Sequence, residues 1–176
     1  PRGFSVQYGM FFGAGMIHRA IALTHRLFPK GRNHGVLGPG LVTAMGVSVG
    51  LTAASIMSKG TLEQKERFAL PILTMEKIGA WAITEPDSGS DAFGSMKATA
   101  RRDGDEYVLN GSKTFITNGP YADTIVFICK LDEGNAPSER KIVQFVLDSG
   151  MPGLEQSKPL RKMGIHSSPT GQLFLD

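Results

Sequence analysis

Residues 79–91 read GAWAITEPDSGSD, and the chain changes character at this stretch. Before it, apolar residues recur at helical spacing in residues 9–28, in the uncharged run 36–57 and in residues 60–73. After it, period-2 runs and turn dipeptides predict six or seven short strands. Helices followed by strands indicate an α+β fold or two domains, and not a parallel α/β sheet. The boundary between the two parts falls at about residue 79.

Local signals place individual elements on this plan. Thr61 and Gln64 have the spacing of a capping box, which predicts a helix start at residue 61. We expect the inward stripe of that helix to be Leu62, Phe68, Ala69 and Leu73. The predicted strands are GAWAIT, MKATARR, EYVL, KTFIT, TIVFICKL, KIVQFVL and GQLFLD. Turns are predicted at DGD, 103–105, and at NG, 110–111.

Composition excludes several classes of function. The net charge is +3 and no Lys/Arg cluster of five or more occurs, so we expect no nucleic-acid partner. The one cysteine, Cys129, excludes an intrachain disulfide framework, and its apolar surroundings predict a buried thiol. His18, His25, His34 and His166 show no metal-ligand spacing, so no metal is expected.

The uncharged run 36–57 is long enough to span a bilayer. It contains Pro39, several glycines and several hydroxyl side chains, and its large apolar residues are thinly spaced. Small residues at this density favour a helix that packs closely against other protein. We therefore predict no stable membrane insertion.

Two stretches carry possible binding chemistry. Pro86 ends the first strand, and Ser88, Gly89 and Ser90 form a turn whose backbone could closely approach a phosphate or polar ligand. An ordinary polar turn is the alternative, and spacing alone favours it. In KTFITNG, 113–119, Phe115 and Thr117 share one strand face, where an aromatic and a hydroxyl could contact a flat ring. A core Phe beside a surface Thr is the alternative there.

GAWAITEPDSGSDA and LNGSKTFITNG resemble the two signatures of the acyl-CoA dehydrogenase family. GTLEQKERFALPIL, RDGDEYVLNG, GMPGL and KMGIHSSPT occur in the same order as in that family, and the resemblance extends from about Leu41 to Asp176. It implies a helical N-terminal domain, here 1–79, and a mainly antiparallel, β-barrel-like, flavin-binding middle domain, here 80–176. The family's C-terminal helical bundle is absent from this chain, which we expect to be a fragment.

The resemblance also implies site residues. Trp81, Ile83 and Thr84 would line FAD, and Ser90 would also reach towards the acyl-CoA. Phe115 would pack on the isoalloxazine ring, where the family often has tryptophan. Ile116 and Thr117 follow it, and Thr117 would lie near the ring atom that receives hydride.

The implied activity is FAD-dependent α,β-dehydrogenation of an acyl-CoA thioester to the trans-2-enoyl-CoA, in fatty acid β-oxidation. An electron-transfer flavoprotein would accept the electrons, and a homo-oligomer, dimer or tetramer, is expected. In relatives the base is a glutamate of the C-terminal domain. No catalytic residue is therefore assigned here, and we expect the fragment alone to be inactive.

Other outcomes remain open on the same fold. An acyl-CoA oxidase or a flavin monooxygenase would use the same flavin site, and a non-catalytic flavin- or CoA-binding remnant would lack the base. The single cysteine and the lack of an export signal predict a cytoplasmic location, or the mitochondrial matrix if the source is eukaryotic.

Overall fold

The computed structural model describes residues 39–176. The helix predicted over 9–28, with His18, His25 and His34, lies outside these described residues. Within them the chain forms two helices, seven strands and two short 3₁₀ turns, which are Gly119–Tyr121 and Pro137–Glu139.

Helix α1 is Pro39–Lys59. Its three segments are α-helical Pro39–Met45, π-helical Gly46–Ala53 and α-helical Ala54–Lys59. Helix α2, residues 62–73, has α-helical Leu62–Gln64, π-helical Lys65–Ala69 and α-helical Leu70–Leu73.

The capping box that starts α2 is confirmed. The Gln64 N–H donates to Thr61 Oγ1 at 3.2 Å, and the Thr61 N–H donates to Gln64 Oε1 at 2.9 Å. The predicted inward stripe is only half right. Phe68 and Ala69 are buried, but Leu62 and Leu73 are exposed. Ile72, four residues after Phe68, takes the inward position because residues four apart share a helix face.

The seven strands of the described chain are β1 Gly79–Ala82, β2 Thr99–Asp103, β3 Glu106–Thr117, β4 Thr124–Asp132, β5 Ile142–Asp148, β6 Leu154–Gln156 and β7 Thr170–Leu175. The hairpin turn predicted at 103–105 is confirmed, with Gly104 at φ 62°. The turn predicted at 110–111 is wrong, because β3 runs straight through it. Gly111 is required for close approach instead: a Cβ there would lie 2.7 Å from Ala98 Cβ.

The sheet is mixed rather than antiparallel throughout. Strands β1 and β2 lie one after the other along one edge of β4, both parallel to it, and β5 pairs antiparallel with the opposite edge. The β2–β3, β3–β7 and β6–β7 pairings are antiparallel. Strand β4 runs parallel to β1 because β3 and the 3₁₀ turn Gly119–Tyr121 bring the chain back to the end where β1 starts. Thr124 therefore lies opposite Gly79.

The sheet curls because β3 changes partners. Its first half pairs with β2 and its second half with β7, with a bulge between Lys113 and Ile116. An inner core fills the curl. It consists of Ala80, Ala82, Ala98, Ala100, Ile116, Ala122, Ile125, Phe127, Cys129, Leu147, Leu173 and Leu175. An outer core lies between the sheet and the helices. It consists of Ala53, Ile56, Phe68, Ala69, Ile72, Met96, Val126 and Ile128.

Cys129 is fully buried in the inner core, as predicted. Full burial of a large apolar side chain in either core contributes about 1.5–3 kcal/mol.

Helix α1 packs directly on the start of β1. The Gly79 N–H donates to Ser48 Oγ at 3.1 Å, and a Cβ on Gly79 would lie 2.9 Å from the Thr52 side chain. By length and composition α1 is long and apolar enough to cross a membrane. The core helix of a soluble protein passes the same test. In α1, 39% of the apolar window is buried, and the contacts with Gly79 show that one side of the helix packs on β1.

Candidate functional site

The two signature segments lie side by side. The chain leaves β1 through residues 83–85 and passes the second half of β3. The Thr114 N–H donates to the Thr84 carbonyl at 2.9 Å, and Lys113 Nζ donates to the Ile83 carbonyl at 3.0 Å. Residues that are far apart in sequence therefore form one continuous surface.

Strand alternation decides which side chains this surface presents. Ala80 and Ala82 point into the inner core. Trp81 and Ile83 point the other way and are half-buried against the outer core. Packing from the helices thus covers part of both side chains and leaves the rest open.

Phe115 is the most conspicuous residue of the site. Between Lys113 and Ile116, β3 advances three residues while β7 advances two, from Leu173 to Gly171, so β3 carries one extra residue. Phe115 lies within this bulge with φ 56°, and its side chain is 68% exposed. A left-handed backbone at a non-glycine residue costs about 1–3 kcal/mol and is typical of functional sites. The bulge therefore presents a flat aromatic ring to solvent.

The two residues after Phe115 differ in what they offer. The Ile116 side chain is 2% exposed and belongs to the inner core, so only its main chain could contact a ligand on this surface. Thr117 is half-buried, like Thr84. Thr84 and Thr117 thus each carry a hydroxyl on a side chain that is only partly covered.

The loop after Glu85 is folded on itself. Glu85 and Ser88 exchange two main-chain hydrogen bonds, at 3.0 and 3.1 Å, and Ser88 Oγ donates to the Asp91 carbonyl at 2.8 Å. Ser90 is exposed on this loop, and a Cβ on Gly89 would meet nothing within 4 Å. A ligand could approach the backbone at this point.

Glu85 and Lys113 form a buried ion pair that the sequence reasoning missed. Lys113 Nζ lies 2.8 Å from Glu85 Oε1. Burial lowers the pKa of Lys113, and the hydrogen bond and charge of Glu85 oppose that shift. The sequence did offer a signal for this pair: Lys113 lies among inward-facing residues of a predicted strand, and Glu85 lies at the end of another.

Glu85 is not placed to act as a base. Its carboxylate accepts the N–H of Lys97 at 2.7 Å and the N–H of Ala98 at 3.0 Å, besides the Lys113 ammonium. Glu63, Glu66 and Glu76 are exposed on or just after α2. Residues 39–176 contain no group of three or more His, Cys, Asp or Glu side chains that could hold a metal ion.

Asn118, which follows Thr117, anchors the end of the second segment. Its backbone is left-handed, with φ 66°, and its side chain is fully buried. Asn118 Nδ2 donates to the Ala44 carbonyl at 2.8 Å and to the Gly79 carbonyl at 2.9 Å. It therefore joins β3 to α1 and to the start of β1, which sequence reasoning also missed.

The surface formed by these residues fits a flat, uncharged, partly polar ring. It offers an exposed aromatic face at Phe115, an indole at Trp81, and hydroxyls at Thr84 and Thr117. Lys113 and Glu85, which bind beneath residues 83–85, neutralise each other. An isoalloxazine ring has these properties, so the residues present fit a flavin.

Comparison with known proteins matches most of this chain to one family. Residues 80–176 match the family described as "Acyl-CoA dehydrogenase, middle domain". Mitochondrial isovaleryl-CoA dehydrogenase of Pongo abelii is 39% identical over 137 residues, which cover 76% of this chain and 32% of that protein. The chain thus spans about a third of the length of the curated relatives it matches.

Solved structures match over a longer part of the chain. Glutaryl-CoA dehydrogenase from Mycobacterium smegmatis in complex with FADH2 superposes with a TM-score of 0.72 at 28% identity, covering 94% of this chain and 39% of that one. The prolyl acyl carrier protein oxidase AnaB superposes with a TM-score of 0.72 at 32% identity, covering 92% of this chain and 40% of that one.

Proposed function

This chain belongs to the acyl-CoA dehydrogenase family, and on that premise we propose that its surface at 81–84 and 115–117 binds the isoalloxazine ring of FAD. The full-length protein would use it for α,β-dehydrogenation of an acyl-CoA thioester to the trans-2-enoyl-CoA. The observation that carries the proposal is the exposed Phe115 ring on a strained bulge, joined to the first segment by the Thr114–Thr84 hydrogen bond. The match to a relative solved with FADH2 supports the same cofactor.

The residues of the chain would divide the binding between them. Phe115 would supply the stacking face, and Trp81 and Ile83 would supply apolar contact beside it. Thr84 and Thr117 would donate hydrogen bonds to the polar edge of the ring, and Ile116 would contribute its main chain. The aromatic and apolar contacts would also keep water from the ring. FAD, when bound, supplies the acceptor for the hydride that the substrate loses.

Ser90 would contribute to substrate binding. It is exposed on the loop beyond Glu85, where the open space at Gly89 leaves room for a ligand. Its hydroxyl would contact both the cofactor and the acyl-CoA. The base that removes the α-proton is proposed to lie beyond Asp176, since Glu85 already has three donors on its carboxylate.

The remaining partners follow from the family. We propose an electron-transfer flavoprotein as electron acceptor and a homo-oligomeric full-length protein. A cytoplasmic or mitochondrial location is proposed with them, and the isovaleryl-CoA dehydrogenase relative is itself named as mitochondrial.

An absorbance spectrum of the purified full-length protein tests the cofactor and the reaction together. We expect the visible bands of a bound flavin, and bleaching of those bands when a panel of acyl-CoA thioesters is added without oxygen. The 176-residue chain alone, with FAD, the same panel and an artificial electron acceptor, is expected to show no turnover. A full-length protein that takes up no flavin would contradict the proposal.

Oxidase activity is the second candidate, and the match to the AnaB oxidase favours it. In an oxidase, O₂ would be the final electron acceptor. Oxygen consumption during turnover with the acyl-CoA panel separates the two activities. A dehydrogenase would need an added electron acceptor to turn over and would consume little oxygen without one.

A further inference from the structure

The Lys113–Glu85 ion pair is the most deeply buried pair of charges that the structure describes. The Lys113 side chain is 0% exposed and the Glu85 side chain 5%. The other ion pairs of the described residues all have more exposed partners, as the pair formed by Lys97 and Asp87 illustrates, with side chains 73% and 69% exposed. Because charges buried this deeply do not contact solvent, they do not serve solubility, and the pair needs another explanation.

Four parts of the chain converge on this pair. Lys113, in β3, donates to Glu85 and to the Ile83 carbonyl, and its ammonium lies 5.1 Å from the centre of the Phe127 ring. Glu85 accepts the main-chain N–H groups of Lys97 and Ala98, which lead into β2. Besides bonding to each other, the two charged groups thus bind main-chain atoms of residues 83, 97 and 98 and contact the Phe127 ring of β4.

Stability alone does not explain such a pair. Burying two charges carries a desolvation penalty, and well-packed apolar residues of similar volume are often as stable or more so. A buried pair does impose one geometry, because each charge must find its partner at hydrogen-bond distance. Here that geometry sets the distance between residues 83–85 and β3.

That distance bears directly on the proposed ring surface. Thr84 lies between the two residues that contact the Lys113 ammonium, and Phe115 lies two residues after Lys113 in the chain. A change in the ion pair would therefore shift the Thr84 hydroxyl relative to the Phe115 ring.

We propose that Lys113 and Glu85 are positioning residues, which hold Thr84 and Phe115 at the separation that an isoalloxazine ring requires. The inference rests on the proposed function, because it concerns the same surface. Neither residue contacts the ring in this proposal, since both lie beneath the surface.

The test uses the full-length protein with Lys113→Met, Glu85→Gln and the double variant that combines them. The readouts are the FAD dissociation constant, the visible circular dichroism of the bound flavin and urea unfolding. Each single variant leaves one buried charge without its partner, and we expect both to lose stability. The double variant removes both charges, so its unfolding midpoint should exceed that of either single variant. Its FAD affinity should still be at least ten-fold weaker than wild type, with altered flavin dichroism.

Two controls separate positioning from folding. Arg140→Met removes the arginine of the 2.8 Å pair with Asp132, in the loop after β4, so it should leave FAD affinity and dichroism unchanged. Glu85→Asp keeps the charge but retracts the carboxylate by one methylene. A positioning role predicts several-fold weaker FAD binding in that variant. This readout decides the question if the double variant does not fold.

The outcomes are distinguishable. A wild-type protein that takes up no FAD overturns the proposed function and this inference with it. Wild-type FAD affinity and dichroism in the double variant, or in Glu85→Asp, would overturn only the positioning role. The proposed function would then stand.

Discussion

The main-chain N–H of Thr114 donates to the carbonyl of Thr84 at 2.9 Å, and this bond joins the two signature segments directly. It lies between the anchor at Lys113 and the bulge at Phe115. The ring surface is therefore built from main-chain contacts as well as from side chains. Substitutions beneath, within and beside that surface should have separable effects.

Phe115 should matter to the cofactor far more than to folding. Its side chain is 68% exposed, so Phe115→Ala should change the free energy of unfolding by less than about 0.5 kcal/mol. Loss of the stacking face should weaken FAD binding several-fold, since an aromatic pair contributes about 0.5–1.5 kcal/mol. Phe115→Trp, which keeps a flat ring, is the matched control. Equal FAD affinity in the alanine and tryptophan variants, measured by titration of the full-length protein, would argue against stacking.

Asn118 should be intolerant of a negative charge. Asn118→Asp would replace an amide that donates to the Ala44 and Gly79 carbonyls with a buried acceptor, costing about 3 kcal/mol or more. Asn118→Gly tolerates the φ of 66° but loses the hydrogen bonds and the buried volume of the side chain, for a cost of about 1–3 kcal/mol. Urea unfolding at pH 7 measures both variants. An aspartate variant as stable as the glycine variant would contradict this account.

Two buried threonines should respond oppositely to valine. Thr124 and Thr52 are both fully buried, but Thr124 Oγ1 has no hydrogen-bond partner among the described residues, whereas Thr52 Oγ1 donates to the Val47 carbonyl at 3.0 Å. Thr124→Val should be neutral or stabilise by about 1 kcal/mol, because it removes an unsatisfied polar group. Thr52→Val should cost about 1 kcal/mol. In both urea and heat, the unfolding midpoint of Thr124→Val should be higher than that of Thr52→Val. The reverse order would refute this difference.

Glycine to alanine substitutions should test the packing of α1 on β1. A Cβ on Gly79 would lie 2.9 Å from Thr52, so Gly79→Ala should destabilise the fold by about 1–3 kcal/mol. A Cβ on Gly50, on the exposed side of α1, would meet nothing within 4 Å. Gly50→Ala should therefore stabilise the helix by about 0.5–1 kcal/mol. If thermal unfolding shows both substitutions to be neutral, the close contact of α1 with β1 is not what holds the helix.

Cys129 should make stability depend on pH in the alkaline range. Burial raises the pKa of its thiol from 9.0 to about 12, although the positive charge of Lys113 opposes the shift. Between these values the folded chain binds more protons than the unfolded chain, so the free energy of unfolding falls as pH rises from about 9 towards 12. Below about pH 9 the contribution of this thiol is complete and constant.

Cys129→Ala is the control for this pH dependence. The variant lacks the thiol but keeps the Lys and Tyr groups, which also titrate at alkaline pH. Between pH 9 and 11 the unfolding free energy of the variant should fall less steeply with pH than that of the wild type. The difference in slope should correspond to the loss of at most about one titrating proton. In the wild type, alkylation of the thiol at pH 8 should proceed in urea and be slow in the folded state. Rapid alkylation without denaturant would show that the thiol is accessible.

The sequence by itself determined the general plan of the chain. The period-2 runs located the strands apart from β6, the Thr61 capping box located the start of α2, and the apolar neighbours of Cys129 placed it in a core. These features depend on residues close together in the chain, which is why local patterns reveal them. The resemblance of two short segments then supplied the family, while the site residues remain predictions.

Only the tertiary structure decided how those parts meet. The Asn-Gly pair at 110–111 looked like a turn, yet β3 continues because Gly111 must approach Ala98. The parallel pairs of β4, the exposed bulge at Phe115 and the Lys113–Glu85 pair all join residues distant in sequence. Local periodicity records which face of a strand is apolar, but it holds no information about which strand lies beside it. A buried charge can be paired only after the whole sheet has brought its partner within hydrogen-bond distance.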